Sequence, residues 1–370
     1  MNYQEIENED ELIDLLNSSQ LITSIAFQSI NFQKADYLLE GKIFADCIFL
    51  GCKLPVSFEN LLQTNNLVFP EIDLPFNPYT GTLYNRATLL GEYETGKPES
   101  YENTLDKRVY NHYIRNGKEA KDIKETLSRR LHDHAISDAL YDFLDNYEEK
   151  KIVAIMGGHS LLRNTHNYLE VARISKKLTE LGYLMISGGG PGAMEATHLG
   201  VWFADQDETK LKAAIKILSE APGYNHKHWL DKAFRVINEF QGSNYESIGI
   251  PTWLYGHEPP SPFASQIAKY FANSIREDGL LAIAKGGVIF APGGAGTIQE
   301  IFQDATQNNY LSFGFSSPMV FFDSYYWKEE RPVYPLLTHM AKKNQYKNMI
   351  LSCHDKPEDI VTEILKFTKC

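Results

Sequence analysis

The residue types best suited to chemistry in this chain of 370 residues lie in one stretch, Pro292-Gly293-Gly294-Ala295-Gly296-Thr297-Ile298-Gln299-Glu300. It follows an apolar run, Gly287-Val288-Ile289-Phe290-Ala291, with the length and β-branched content of a buried parallel strand. It leads into residues 298–307, where Ile298, Ile301, Phe302 and Ala305 recur at helical spacing. A strand, a glycine turn and a helix in that order gather free backbone N–H groups and the positive end of a helix dipole at one point. Such a point binds anions, phosphate above all. Glu300 falls one turn into the helix on the same face as Thr297. A carboxylate there would repel an anion in the cradle, an arrangement that makes sense if the carboxylate addresses another part of the same ligand, such as a sugar.

The elements that position this stretch form a regular alternation. Residues 152–156 are an apolar run closed by Gly157-Gly158-His159-Ser160, and a helix is expected over 168–181, ended by Gly182. A second apolar run, 183–186, gives way to Ser187-Gly188-Gly189-Gly190-Pro191-Gly192-Ala193-Met194 and another helix. Residues 206–247 are mixed, with helical patches. A strand-like 247–250 leads to Gly256-His257-Glu258-Pro259-Pro260-Ser261-Pro262, and 263–284 reads as helix. Past the glycine stretch come a strand at 318–322, a helix at 334–343, a strand at 349–351 and a helix at 358–366. This order predicts an α/β fold, a doubly wound, Rossmann-like parallel sheet. Ligands on such sheets bind at the carboxyl ends of the strands, where the three glycine turns would converge.

The expected division is an accessory α+β region over 1–148 and a Rossmann-like domain over 149–370, with the charged run Glu148-Glu149-Lys150-Lys151 as its entrance. Near the N-terminus Phe27, Phe32 and Tyr37 are spaced by five, as are Phe44, Phe49 and Leu54, with Cys47 and Cys52 two places before two of them. That is faintly like a pentapeptide-repeat coil, but two partial coils are too few for a solenoid. Short strands with alternating burial are the preferred expectation. Residues 68–100 are rich in proline and glycine and read as an extended, wrapping segment. Residues 105–147 read as helical, with Leu131, Ala135, Ala139, Leu140, Phe143 and Leu144 on one face. His132 and His134 fall on opposed sides of it, which predicts solvated or capping histidines rather than a ligand pair.

Composition excludes several classes. The net charge is −12, with no long Lys/Arg block, which argues against a nucleic-acid polymer as partner. No run of about eighteen apolar residues is present, so no membrane span is expected. The acidic start lacks a signal peptide's basic and apolar regions. Cys47, Cys52, Cys353 and Cys370 match no zinc or redox spacing, and a reduced, cytoplasmic protein is expected. No turn fits the dinucleotide fingerprint G-x-G-x-x-G or the P-loop. Gly157-Gly158 taken alone is equally well explained by tight packing. Lys285 has no surroundings suited to pyridoxal phosphate, which rejects a decarboxylase.

The run P-G-G-x-G-T-x-x-E at 292–300 resembles the signature of the LOG (LONELY GUY) family, phosphoribohydrolases once labelled lysine decarboxylases. Gly157-Gly158-His159-Ser160, Gly190-Pro191-Gly192-Ala193-Met194 and Glu258-Pro259-Pro260-Ser261-Pro262 are similar to segments of the larger nucleoside 5′-monophosphate nucleosidases of that superfamily. The likeness covers about 150–320. It implies hydrolysis of a nucleoside 5′-monophosphate to free base and ribose 5-phosphate, without metal or cofactor, by a homodimer or larger homo-oligomer. It implies a catalytic pair, Glu300 and an arginine about fifteen residues before the signature proline; Glu277 stands at that place and Arg276 one further. The expected ligand contacts are Gly293, Gly294, Gly296 and Thr297, then Gly189, Gly190, Gly192 and Met194, then Gly158, His159, Ser160 and Glu258. For Glu258 a rigid turn and a ribose or base contact both remain open. His226, His228 and Trp229 read as a solvated helix start rather than a base pocket. The rival class is a non-catalytic nucleotide sensor using the same cradle, for which a carboxylate beside the anion has no purpose.

Overall fold

The computed structural model describes residues 3–56, 58, 65–256 and 258–368; Cys370 and His257 lie outside the described residues. The chain forms two compact units, one of Met1–Leu83 with Ile114–Phe143 and one of Tyr84–Tyr113 with Leu144–Cys370. This differs from a simple division at 148/149, because residues 84–113 belong with the second unit. Within that unit the buried ammonium of Lys269 lies 2.5 Å from the Asp106 carboxylate, and Trp253 donates its indole N–H to the same group at 3.1 Å.

In the first unit, β1 (Gln4–Ile6), β3 (Ile25–Gln28), β5 (Ile48–Leu50) and β6 (Leu67–Phe69) form one parallel sheet, with α1 (Glu9–Ser18) following β1. A two-stranded parallel sheet joins β2 (Leu21–Thr23) and β4 (Ile43–Ala45). The strands are short, as expected, but they are stacked turns of a coil: Ile22 sits over Phe44 and Phe27 over Phe49. The corners repeat as well, with Ser24 and Asp46 at φ 56° and 55° and Ser29 and Gly51 at 57° and 60°. Phe27 stacks on Phe49 with ring centroids 5.1 Å apart, and Phe32, Phe44 and Phe58 close the aromatic column. Cys47 and Cys52 are buried beside it, their thiols bonded to the Ile22 and Phe27 carbonyls. Tyr37 shares the five-residue phase yet is 73% exposed, because Phe32–Leu38 folds as a 3-10 turn and breaks the period.

The helical stretch expected over 105–147 is two helices, α3 (Leu105–Asn116) and α4 (Ile123–Leu144), after the small α2 (Arg86–Leu90). Gly117, at φ 86°, ends α3. On α4, His134 is exposed, but His132 is buried against Phe76 and Asp133, not solvated, and burial lowers its pKa.

The second unit carries, among the described residues, a seven-stranded parallel sheet in the order β10-β9-β8-β7-β11-β12-β13. Its strands are β7 (Ile152–Met156), β8 (Leu184–Ser187), β9 (Ser247–Gly249), β10 (Gln266–Ile267), β11 (Gly287–Phe290), β12 (Pro318–Phe322) and β13 (Ile350–His354). Its helices are α5 (His166–Glu180), α6 (Ala193–Trp202), α7 (Glu208–Leu218), α8 (Trp229–Glu239), α9 (Asn273–Ile283), α10 (Ala295–Tyr310), α11 (Val333–Lys342) and α12 (Pro357–Thr368). The α/β, Rossmann-like parallel fold is therefore present. Strands β7, β8, β11 and β12 are buried at every residue, which is why they read as continuous apolar runs. The helix expected from 263 begins only at Asn273. Residues 267–271 are buried on every side, and they extend along β9, where Ala268 donates to the Gly249 carbonyl at 2.9 Å. Among the described residues no helix is long and apolar enough to cross a membrane.

Truncating the stacked column should be costly. Phe49→Ala is expected to lower the local stability of β3 and β5 by about 3–5 kcal/mol, read by amide hydrogen exchange. Protection changed by less than about 1 kcal/mol would contradict a load carried by the aromatic stack.

Candidate functional site

The strand order reverses between β7 and β11, and the turns that leave these two strands flank a crevice at their carboxyl ends. The turns are tied together: Gly158 donates its N–H to the Pro292 carbonyl at 2.9 Å, and Ala193 donates to the Gly158 carbonyl at 3.2 Å. Gly192 has φ +69°, and a Cβ on it would stand 2.3 Å from the Gly158 carbonyl oxygen. Gly189 has φ +70°, donates to Ser187 Oγ and accepts from the Ser261 N–H. Gly158, Gly189 and Gly192, expected as ligand contacts, thus join turn to turn, and the N–H groups of Gly158 and Gly189 are engaged within the protein. Gly294 and Gly296 are different. Both are exposed at the start of α10, with open space where a side chain would be, and the first N–H groups of that helix have no carbonyl partner within it. Thr297 is buried, its hydroxyl packed back over Gly293.

Arg276 lies in the first turn of α9 and Glu300 near the start of α10. Gln299 donates to Glu277 Oε2 at 2.9 Å and Gln303 to Asp278 Oδ1 at 2.6 Å, so the two helices are fastened along their polar edges. Glu277, next to Arg276 in the chain, faces this seam. Arg276 faces the crevice: its Nη1 is 3.7 Å from Glu300 Oε1 and 3.6 Å from Glu277 Oε1, and its Nε donates to the Ile250 carbonyl at 3.1 Å. The guanidinium also covers the second glycine turn, where a Cβ on Gly188 would meet Arg276 Nη2 at 2.8 Å. Arg276 and Glu300 are only 11% and 12% exposed.

Met194 and Glu258 flank Gly190, and His159 Nδ1 is 3.3 Å from Glu258 Oε1. The His159 ring meets Tyr224 edge-on. Ser160 is exposed beside it. In the segment after Tyr224, His228 is bonded to Asp231 and Trp229 is buried beneath Arg163, so only His226 remains as solvated as expected.

Burial pushes the Glu300 carboxyl up to about 7; Arg276 pulls it down and Glu277 adds to the rise. It can therefore change protonation near neutrality, the property expected of a proton-transfer group.

Three supports escaped the sequence. Arg163 grips Glu195 with two bonds of 2.5 and 2.8 Å behind the second turn. Buried His198 links Ser187 to Ser247. Tyr326 donates its hydroxyl to the Gly293 carbonyl at 2.6 Å. The aromatic run Tyr325-Tyr326-Trp327 just beyond β12 was the available signal for the last.

No protein-family model matches the chain. A search of curated proteins likewise finds no match. Among solved structures, the molybdenum cofactor binding protein from the phototrophic bacterium Rippkaea orientalis aligns at 16% identity, over 59% of this chain and 96% of that one, with a TM-score of 0.35.

The raised carboxyl predicts a pH-dependent effect on stability. Glu300 ordinarily ionises near 4.5 and here near 7. Folding favours its neutral form, so the penalty is absent below the lower value and complete above the higher one. Glu300→Gln should leave urea stability unchanged at pH 4 and raise it at pH 8 by on the order of 1–3 kcal/mol. Equal effects at both pH values would contradict the shift.

Proposed function

We propose that the chain is a LOG-type phosphoribohydrolase that cleaves the N-glycosidic bond of a nucleoside 5′-monophosphate, giving free base and ribose 5-phosphate. The observation that carries this proposal is the close pair of Glu300 and Arg276 beside the open glycine turn at the start of α10. The family likeness of residues 292–300 supports the same reading. A homodimer or larger assembly in the cytoplasm belongs to it.

In this mechanism the 5′-phosphate lies against the N–H groups at Gly294 and Gly296, with Gly293 and Thr297 beneath it. Binding energy from that remote group fixes the ribose. The C1′–N bond breaks with its electron pair leaving on the base, and positive charge grows on the ribosyl ring as in glycoside hydrolysis. Ionised Glu300 stabilises that charge and takes a proton from the water that adds to C1′. The departing base takes up a proton. Arg276 favours the ionised form of Glu300 and offsets the charge of ligand and carboxylate together. In this reading Glu258 and His159, beside Gly190, would meet ribose or base.

A panel of nucleoside monophosphates incubated with the protein and resolved by chromatography tests this directly. Wild type should release free base, and Glu300→Ala should lose about 10²–10⁴-fold in kcat/KM. Because Glu300 must be ionised, kcat/KM should rise with pH and level off above about 7. Tight binding with every monophosphate intact would leave a sensor; base released equally by both proteins would remove Glu300 from the mechanism.

A further inference from the structure

We propose that Tyr326 is a positioning residue for the anion cradle, setting the direction of an N–H group that it does not itself carry. The inference rests on the proposed ribose-phosphate site and adds what holds that site in shape.

The Tyr326 hydroxyl donates to the Gly293 carbonyl oxygen at 2.6 Å. Among the described residues every peptide bond is trans. In a planar trans peptide the carbonyl and the following N–H point in opposite directions. Pinning the Gly293 carbonyl to Tyr326 therefore aims the Gly294 N–H the other way. The preceding peptide is fixed too, since the Pro292 carbonyl accepts from the Gly158 N–H. Both peptide planes around Gly293 are thus set by bonds to other parts of the fold. A glycine there has no side chain to restrict it, and without these bonds the turn would have many orientations to choose from.

Tyr326 is itself held firmly. Asp323, just past β12, sits at φ 78°, a left-handed conformation unusual for a residue other than glycine. Its carboxylate accepts from the Tyr326 N–H at 3.0 Å and from Asn167 Nδ2 at 2.8 Å, and its carbonyl accepts from the Trp327 N–H at 3.2 Å. Trp327 is buried, donates its indole N–H to the Phe290 carbonyl at 3.0 Å, and meets the Tyr326 ring edge-on at 5.0 Å. Phe290 is the last residue of β11, so the strand that launches the glycine turn also anchors the segment that steers it. A donor fixed before the ligand arrives needs no reordering when it binds, which is where preorganisation contributes affinity.

Tyr326→Phe removes one oxygen from a half-buried ring and is expected to fold. The first measurement is calorimetric titration with ribose 5-phosphate, which needs no turnover. The variant should bind about tenfold more weakly, with an unchanged thermal melting curve. The second is steady-state kinetics on whichever monophosphate the wild type cleaves: KM should rise about tenfold while kcat falls by less. Ribose 5-phosphate affinity within twofold of wild type would overturn the role of Tyr326, as would weaker binding that tracks a matching fall in melting temperature. A loss confined to kcat would overturn it as well. If wild type releases no base, the proposed reaction fails, and the ribose 5-phosphate titration still decides whether Tyr326 shapes the cradle.

Discussion

The bond from the Gly158 N–H to the Pro292 carbonyl closes the second unit's sheet at the place where its winding changes direction. Chains leaving β7 and β11 turn to opposite faces there, and a parallel sheet has no ladder of its own beyond the last paired residues, Met156 and Phe290. Two hydrogen bonds carry the pairing past the strand ends, from the Ala291 N–H to the Met156 carbonyl and from the Gly158 N–H to the Pro292 carbonyl, and Ala193 extends it to the second turn through the Gly158 carbonyl. The starts of α6 and α10 are thereby fixed against each other. With that join made, the glycines divide in function: some permit the approach of one turn to another, while Gly294 and Gly296 remain open.

Electrostatics at the crevice follow from the same packing. Glu300 is brought out of water by α9 and α10, and the seam of Gln299, Glu277, Gln303 and Asp278 sets how closely those helices meet. Arg276 supplies the opposing charge while bonded to the Ile250 carbonyl, so it cannot relax fully toward the carboxylate. The separation of 3.7 Å is longer than a tight hydrogen-bonded ion pair. An acid held this way stays close to its point of half-ionisation, and a phosphate a few ångströms off would raise it further.

Much of this was written into the sequence. Strands buried on both faces announce themselves as apolar runs, and a glycine-rich turn marks where each meets its helix, so the Rossmann-like sheet and the stretch 292–300 were legible. Arg276 could be named but not aimed, because its direction depends on how Glu277 is held by Gln299 on another helix. The division of the glycines was hidden too, since φ and close approach are properties of two segments at once. Tyr326 acts through a backbone carbonyl 33 residues away, which leaves no spacing to find. In the first unit, the five-residue phase of the aromatics was visible, but the 3-10 turn that carries the chain from one coil to the next obscured it. His132 lies buried on a helix whose apolar face the sequence did not extend to it.

Phosphorus-31 NMR of a nucleoside 5′-monophosphate incubated with the wild-type protein at pH 8 tests the central claim most directly. The monophosphate resonance should be replaced one for one by that of ribose 5-phosphate, with no inorganic phosphate. Inorganic phosphate as the product, or a monophosphate that stays intact while bound, would contradict a carboxylate acting at the sugar carbon beside a phosphate cradle.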